Sequence, residues 1–98
     1  MNNINSCVVD GTIVKAMGKR FPSLMIENVR HHKDDDGVFV EKTLIKVECY
    51  GALAEVTKKY GKVGRGISVV GALRNSGSAD ALVLAAEKIE FKPMKKEG

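Results

Sequence analysis

At 98 residues, with 44% hydrophobic content and no tryptophan, the chain has the size and composition of one ordinary globular domain. No apolar run approaches the roughly 20 residues of a membrane span, and the polar start MNNINS does not read as a secretory leader, so a cytoplasmic location is expected. The formal charge of +4 is concentrated: residues 42–74 carry seven of the sixteen lysines and arginines against only Glu48 and Glu55. Clustered positive charge points to an anionic partner more strongly than the same charge spread evenly.

Residues 5–14 alternate, with Cys7, Val9, Gly11 and Ile13 on one side and Val8, Asp10, Thr12 and Val14 on the other. That is the period of a half-buried strand, and Gly11 within it predicts a bulge or sharp bend. Residues 15–21 (KAMGKRF) read as a cation-rich turn around Gly18. Pro22 is placed to open the next strand, because proline is tolerated at a strand's first position. The second strand spans residues 23–30, with Leu24 and Ile26 facing one way and Met25, Glu27 and Val29 the other. Residues 31–37 (HHKDDDG) read as a hairpin tip, with Asp36-Gly37 as the turn signal. Asp34, Asp35 and Asp36 are consecutive, whereas a calcium loop spreads its oxygen ligands over about 12 residues. A solvated turn is the better reading.

A third strand over residues 43–50 puts Ile45, Val47 and Cys49 on an apolar face and Leu44, Lys46, Glu48 and Tyr50 on the other. After Gly51, Leu53, Val56 and Tyr60 recur at helical spacing over residues 52–60, and Gly61 suits the left-handed position that ends many helices. Residues 64–66 form a loop. A fourth strand, residues 67–74, places Ile67, Val69, Gly71 and Leu73 on one face and Ser68, Val70, Ala72 and Arg74 on the other. Residues 75–80 (NSGSAD) are a polar turn. Residues 81–91 read as a closing strand, apolar on both faces through Leu84, and residues 92–98 as a frayed tail. The domain is therefore placed at residues 1–91.

Cys7 and Cys49 lie inside apolar runs, and without a secretory context they predict buried thiols rather than a disulfide. No CxxC or HxxxH spacing occurs. His31 and His32, adjacent on a strand, would face opposite ways, so no metal site is expected. No GxSxG elbow is present. The glycine-rich residues 61–66 lack the GxxxxGK[ST] of a phosphate loop and follow a helix instead of opening one. No cofactor is implied, and an enzyme is not expected.

Three strands, a helix and two strands is the order of the OB-fold, an all-β class with one short helix. It is a five-stranded, partly open barrel with the helix between strands three and four, and it often binds oligonucleotides. Leu53, Val56 and Tyr60 are expected to plug one end of the barrel. A single-strand binder needs cations for phosphates and flat side chains on which bases stack. Lys46 and Tyr50 alternate on the outward side of the third strand, with Leu44 as an apolar neighbour, and Arg74 shares the outward set of the fourth. Arg30 and His31 lead into the hairpin, where a guanidinium or imidazole can stack on a base. The candidate DNA-binding residues are thus Arg30, His31, Leu44, Lys46, Tyr50 and Arg74. The same positions also fit an ordinary solvated surface, with Tyr50 closing the edge of the core.

At these residues the chain resembles the bacterial single-stranded DNA-binding proteins. Val8-Val9-Asp10-Gly11-Thr12-Ile13 is similar to their opening strand and Ser23-Leu24-Met25-Ile26 to their second. The most specific stretch is Val47-Glu48-Cys49-Tyr50-Gly51-Ala52-Leu53-Ala54-Glu55, where the family has an apolar strand, an aromatic and Gly-Lys-Leu-Ala-Glu. Ile67-Ser68-Val69-Val70-Gly71-Ala72-Leu73-Arg74 and Ala85-Ala86-Glu87-Lys88-Ile89 continue it, so the resemblance spans most of residues 4–91.

The resemblance implies an OB-fold homo-oligomer, a tetramer more than a dimer, that coats single-stranded DNA regardless of sequence in replication, recombination and repair. It places Tyr50 at a stacking aromatic of the family. Two tryptophan positions fall near Arg30 and Leu44, and a third falls in the hairpin that NSGSAD shortens. The acidic recruiting tip of the family has no counterpart in Lys95-Lys96-Glu97-Gly98. The primosomal replication-restart proteins, dimeric relatives, are a second resemblance that Leu82-Val83-Leu84-Ala85-Ala86-Glu87-Lys88-Ile89-Glu90 suits. An assembly or adaptor domain with weak nucleic-acid affinity is the alternative of a different class, with residues 4–14 as its contact.

Overall fold

The computed structural model describes residues 3–18, 22–76 and 81–93. Five strands and one helix follow in the order β1 (Cys7–Met17), β2 (Ser23–Asp34), β3 (Gly37–Glu48), α1 (Ala52–Tyr60), β4 (Gly66–Asn75) and β5 (Leu82–Phe91). The strands close into an irregular ring in the order β1-β2-β3-β5-β4, with β4 returning to β1. All neighbours are antiparallel except β3 and β5, which run parallel and pair only through Val47–Leu84 and Glu48–Ala85. That short seam is where the ring is most open. No helix among the described residues is long and apolar enough to cross a membrane.

Alternation along the strands builds the core. Ile13, Leu24, Ile26, Val47, Cys49, Ile67, Val69 and Leu84 are buried together inside the ring, each at the inward parity of its strand. Val83 and Leu84 are adjacent and both buried, so β5 is covered on both sides at that point. Burial holds the Cys49 thiol above its ordinary pKa, because the thiolate would lose its hydration.

β1 serves two partners. Its residues 7–12 pair with β4 and its residues 12–17 with β2, so the strand must bend between the two sheets. Gly11, where the sequence predicts the bulge, keeps regular register with Ile67, and it suits a close approach to β2 because a Cβ would lie 2.6 Å from the Glu27 carbonyl oxygen. The irregularity in the ladder comes just after it, between Ile13 and Lys15. β1 also runs on to Met17, into the segment the sequence reads as a turn. Of that segment Gly18 has a positive φ of 84°, and residues 19–21 lie outside the described residues.

The largest departure from the sequence reading is the hairpin of β2 and β3. Its ladder runs unbroken from Ser23–Glu48 to Asp34–Gly37, and only residues 35 and 36 turn. The Asp36 N–H donates to Asp34 Oδ1 at 2.7 Å, and Gly37 takes φ 132°. HHKDDDG is mostly strand. It reads as loop because the outer half of this arm leaves the barrel and exposes both faces, so polar and apolar residues need not alternate there. Val38, Phe39 and Val40 are all about half exposed or more.

Helix α1 has the expected span, but its inward face differs. Leu53 packs on the core and Thr57 is buried, while Val56 and Tyr60 are 39% and 42% exposed. A threonine can hold the inward position because its hydroxyl donates to Cys49 Sγ at 3.4 Å, which lowers the cost of burial. Gly61 is not left-handed: φ is −82°, and its N–H donates to the Thr57 carbonyl at 2.8 Å. Glycine fits there because a Cβ would meet that same carbonyl oxygen at 2.6 Å.

Lys92, assigned to a frayed tail by sequence, is tied back. Its N–H donates to the Gly66 carbonyl at 2.9 Å, and its ammonium lies 3.3 Å from Asp10 Oδ2. Residues 94–98 and 77–80 lie outside the described residues. Asn75 extends β4 rather than opening the turn.

Candidate nucleic-acid interface

The unbroken β2–β3 ladder fixes which side chains share a surface, because directly paired residues project from the same face. Leu44 pairs with Glu27, Lys46 with Met25, Lys42 with Val29 and Val40 with His31. These residues form one outward strip, opposite the core residues Ile26, Ile45, Leu24 and Val47. Arg30 pairs with Glu41 and falls on the other face, with His32 and Phe39. His31 and Arg30 therefore project from opposite faces of the arm. On the Arg30 face, His32 Nε2 lies 3.5 Å from Glu41 Oε2.

At the barrel end of the strip, β5 bridges β3 to β4. Glu48 pairs with Ala85, and Ala85 with Ala72. Val83, one residue before the Leu84 that pairs with Val47, has Arg74 as its partner on β4. β3 and β4, consecutive strands in the chain, are thus separated in the sheet by β5, with Arg74 opposite buried Val83. Tyr50 follows the end of β3 and is 44% exposed. Its hydroxyl reaches back to donate to Glu48 Oε1 at 2.9 Å, and the Arg74 guanidinium carbon lies over its ring, 5.6 Å from the centroid. That hydrogen bond to a carboxylate is the main cause holding the Tyr50 phenol above its ordinary pKa; nearby Arg74 acts in the opposite direction. A cleft of about 220 Å³ beside the ring is lined by Pro22, Ser23, Lys46, Glu48, Cys49 and Tyr50.

Of the six sequence-selected residues, the structure brings Lys46, Tyr50 and Arg74 together. Leu44, 60% exposed, continues from them, and His31 lies further along the same strip. Arg30 is set apart. Sequence parity could have found Lys42, which shares the face of Leu44 and Lys46, had the third strand been extended past Thr43. The other cations of the basic stretch lie elsewhere. Arg65 donates from Nε to the Lys92 carbonyl at 3.2 Å and sits 5.1 Å from the Phe91 ring centroid. Lys58 lies 3.7 Å from Glu55 one turn earlier on α1.

No family model and no curated protein matches the chain in sequence. Solved structures do match it in shape. PriB from Ralstonia solanacearum superposes with a TM-score of 0.76 at 18% identity, covering 91% of this chain and 98% of its own. A single-stranded DNA-binding protein from Plasmodium falciparum, in complex with single-stranded DNA, gives 0.77 at 10% identity over 95% and 98%. A small single-stranded DNA-binding protein from Mycoplasma pneumoniae gives 0.69 at 20% identity over 97% and 100%. The chain has an OB-fold. The resemblance read from residues 4–91 thus extends to the whole barrel, with small bacterial single-stranded DNA-binding proteins and PriB as its structural neighbours.

Proposed function

We propose that this protein binds single-stranded DNA with little dependence on sequence, along the outward strip of β2 and β3 and across to β4. The observation that carries this reading is Tyr50: a half-exposed ring, backed by Arg74 at 5.6 Å, beside Lys46. A base stacks on the ring, while Lys46, Lys42 and Arg74 meet phosphates. Leu44 offers apolar contact to the next base, and His31 extends the path along the arm. The likeness to proteins named for single-strand binding supports the same reading. The unit that carries the function is residues 1–91, acting without catalysis in the cytoplasm during replication, recombination and repair.

Titrating dye-labelled oligo-dT at a series of salt concentrations tests this. Log affinity falls with log salt, with a slope of about −0.7 for each phosphate neutralised. No detectable binding at low salt overturns the proposal.

One observation favours a second element of the reading, self-assembly. Residues 7–11 of β1 pair with β4 on one side, whereas pairing with β2 starts only at Thr12. Strand edges of this kind recruit another strand, and Val8 and Ile4 beside it are 70% and 97% exposed. A homo-oligomer, tetramer or the dimer of a primosomal protein, forms through this edge. Light scattering that finds a monomer at micromolar concentration rejects it. An oligomer without affinity for DNA supports an assembly or adaptor domain instead.

A further inference from the structure

A carboxylate within a strand-binding face needs an explanation, because it repels the phosphates its neighbours attract. Glu48 stands two residues from Lys46 on the same face and lines the same cleft, yet no ion pair joins them. Its Oε1 accepts a hydrogen bond from the Tyr50 hydroxyl at 2.9 Å, and Oε2 has no donor among the described residues. The carboxylate therefore stands at the rim of the phenol ring with one acceptor oxygen uncommitted. A base stacked on that ring brings its own rim, with its hydrogen-bonding groups, to the same place.

The two pyrimidines differ there in a way that an acceptor facing the exocyclic C4 substituent detects. Cytosine presents an exocyclic amino donor where thymine presents a carbonyl oxygen, and a carboxylate accepts from the former and repels the latter. We propose that Glu48 is a specificity-determining residue at this one position. It accepts a hydrogen bond from the exocyclic amino group of the base stacked on Tyr50, so that the position takes cytosine in preference to thymine. Lys46, across the cleft, meets the phosphate of the same nucleotide. The rest of the strip stays tolerant, because stacking and phosphate contacts do not read base edges. This rests on the reading of the strip as a single-strand DNA site.

The test compares oligo-dC with oligo-dT of equal length by fluorescence anisotropy at fixed salt and about pH 8, for the wild type, Glu48→Gln and Tyr50→Phe. Glutamine keeps the size but carries both a donor and an acceptor, so it can serve either pyrimidine. The dC-to-dT affinity ratio is expected to fall by about fivefold or more in Glu48→Gln, at the scale of one base-edge contact. Affinity for oligo-dT rises in the same variant, as a repulsive charge is removed. Tyr50→Phe retains the carboxylate and a stacking ring, so its ratio stays within about twofold of the wild type. An unchanged ratio in Glu48→Gln overturns the proposal while leaving DNA binding intact. So does a Tyr50→Phe ratio that falls as far as that of Glu48→Gln, since Glu48 then acts only by positioning the ring. Wild-type protein that binds neither oligonucleotide overturns the function itself.

Discussion

Replacing Tyr50 by alanine removes, among the described residues, the one aromatic ring on the barrel end of the strip while disturbing the core little. The side chain is 44% exposed and its one hydrogen bond is to Glu48 on the surface, so the stability change should stay within about 1 kcal/mol. The loss should fall on binding. Base stacking on an aromatic contributes about 1–3 kcal/mol per base, but here Arg74 sits against the ring and is released by its removal. A freed guanidinium can itself stack on a base and recover part of the loss. The expected cost is therefore in the lower half of that range, about 1.4 kcal/mol or tenfold in affinity. Because tyrosine carries no charge, the salt slope should not change. Fluorescence anisotropy with labelled oligo-dT across a salt series measures both quantities, and an unfolding curve confirms the fold. A loss below about twofold, or a loss accompanied by a shallower salt slope, would refute the assignment of Tyr50 as a stacking platform.

Lys46→Ala should behave in the opposite way, flattening the salt slope by about 0.7 with the fold unchanged. Arg30→Ala, from the other face of the ladder, should leave that slope as it is; equal effects would contradict the single outward strip. Gly71→Ala should destabilise the barrel by about 1–3 kcal/mol, since its Cβ would lie 2.1 Å from the Ala85 carbonyl oxygen of the β4–β5 ladder. A thermal midpoint lowered by several degrees is the readout, and an unchanged midpoint argues against that close approach. The Asp10 carboxyl is held below its ordinary pKa of 3.8, first by a hydrogen bond from Ser68 and then by Lys92. The unfolded chain therefore binds more protons than the folded one just below pH 3.8, so this contribution is present above that pH and lost as pH falls through the folded value. Thermal unfolding between about pH 5 and about pH 3 should show a smaller acid-induced loss in Asp10→Asn than in the wild type.

The sequence by itself determined the class of the fold and the faces of its strands. Alternation is a local property: a strand with one face on a core must place apolar residues at every second position. The parities of Cys7, Val9 and Ile13, of Leu24 and Ile26, and of Ile45, Val47 and Cys49 were therefore legible without a partner strand. Lys46 and Tyr50 inherited their outward placement from the same rule. Where no face is buried, the rule has nothing to act on. That is why the outer arm of β2 and β3 looked like a loop, and why Lys42 went unnoticed and Arg30 was grouped with His31.

The remaining features depended on contacts distant in sequence. Thr57 takes the inward face of α1 only because Cys49, on another element, accepts its hydroxyl hydrogen bond. Gly71 is required by the Ala85 backbone that closes on it. Arg74 meets the Tyr50 ring because β5 inserts between β3 and β4, an order set by ring closure that no local pattern encodes. Charge and parity could nominate the residues of the strip. Only the order of strands around the barrel brought Arg74 to the Lys46, Glu48 and Tyr50 that alternation had already aligned.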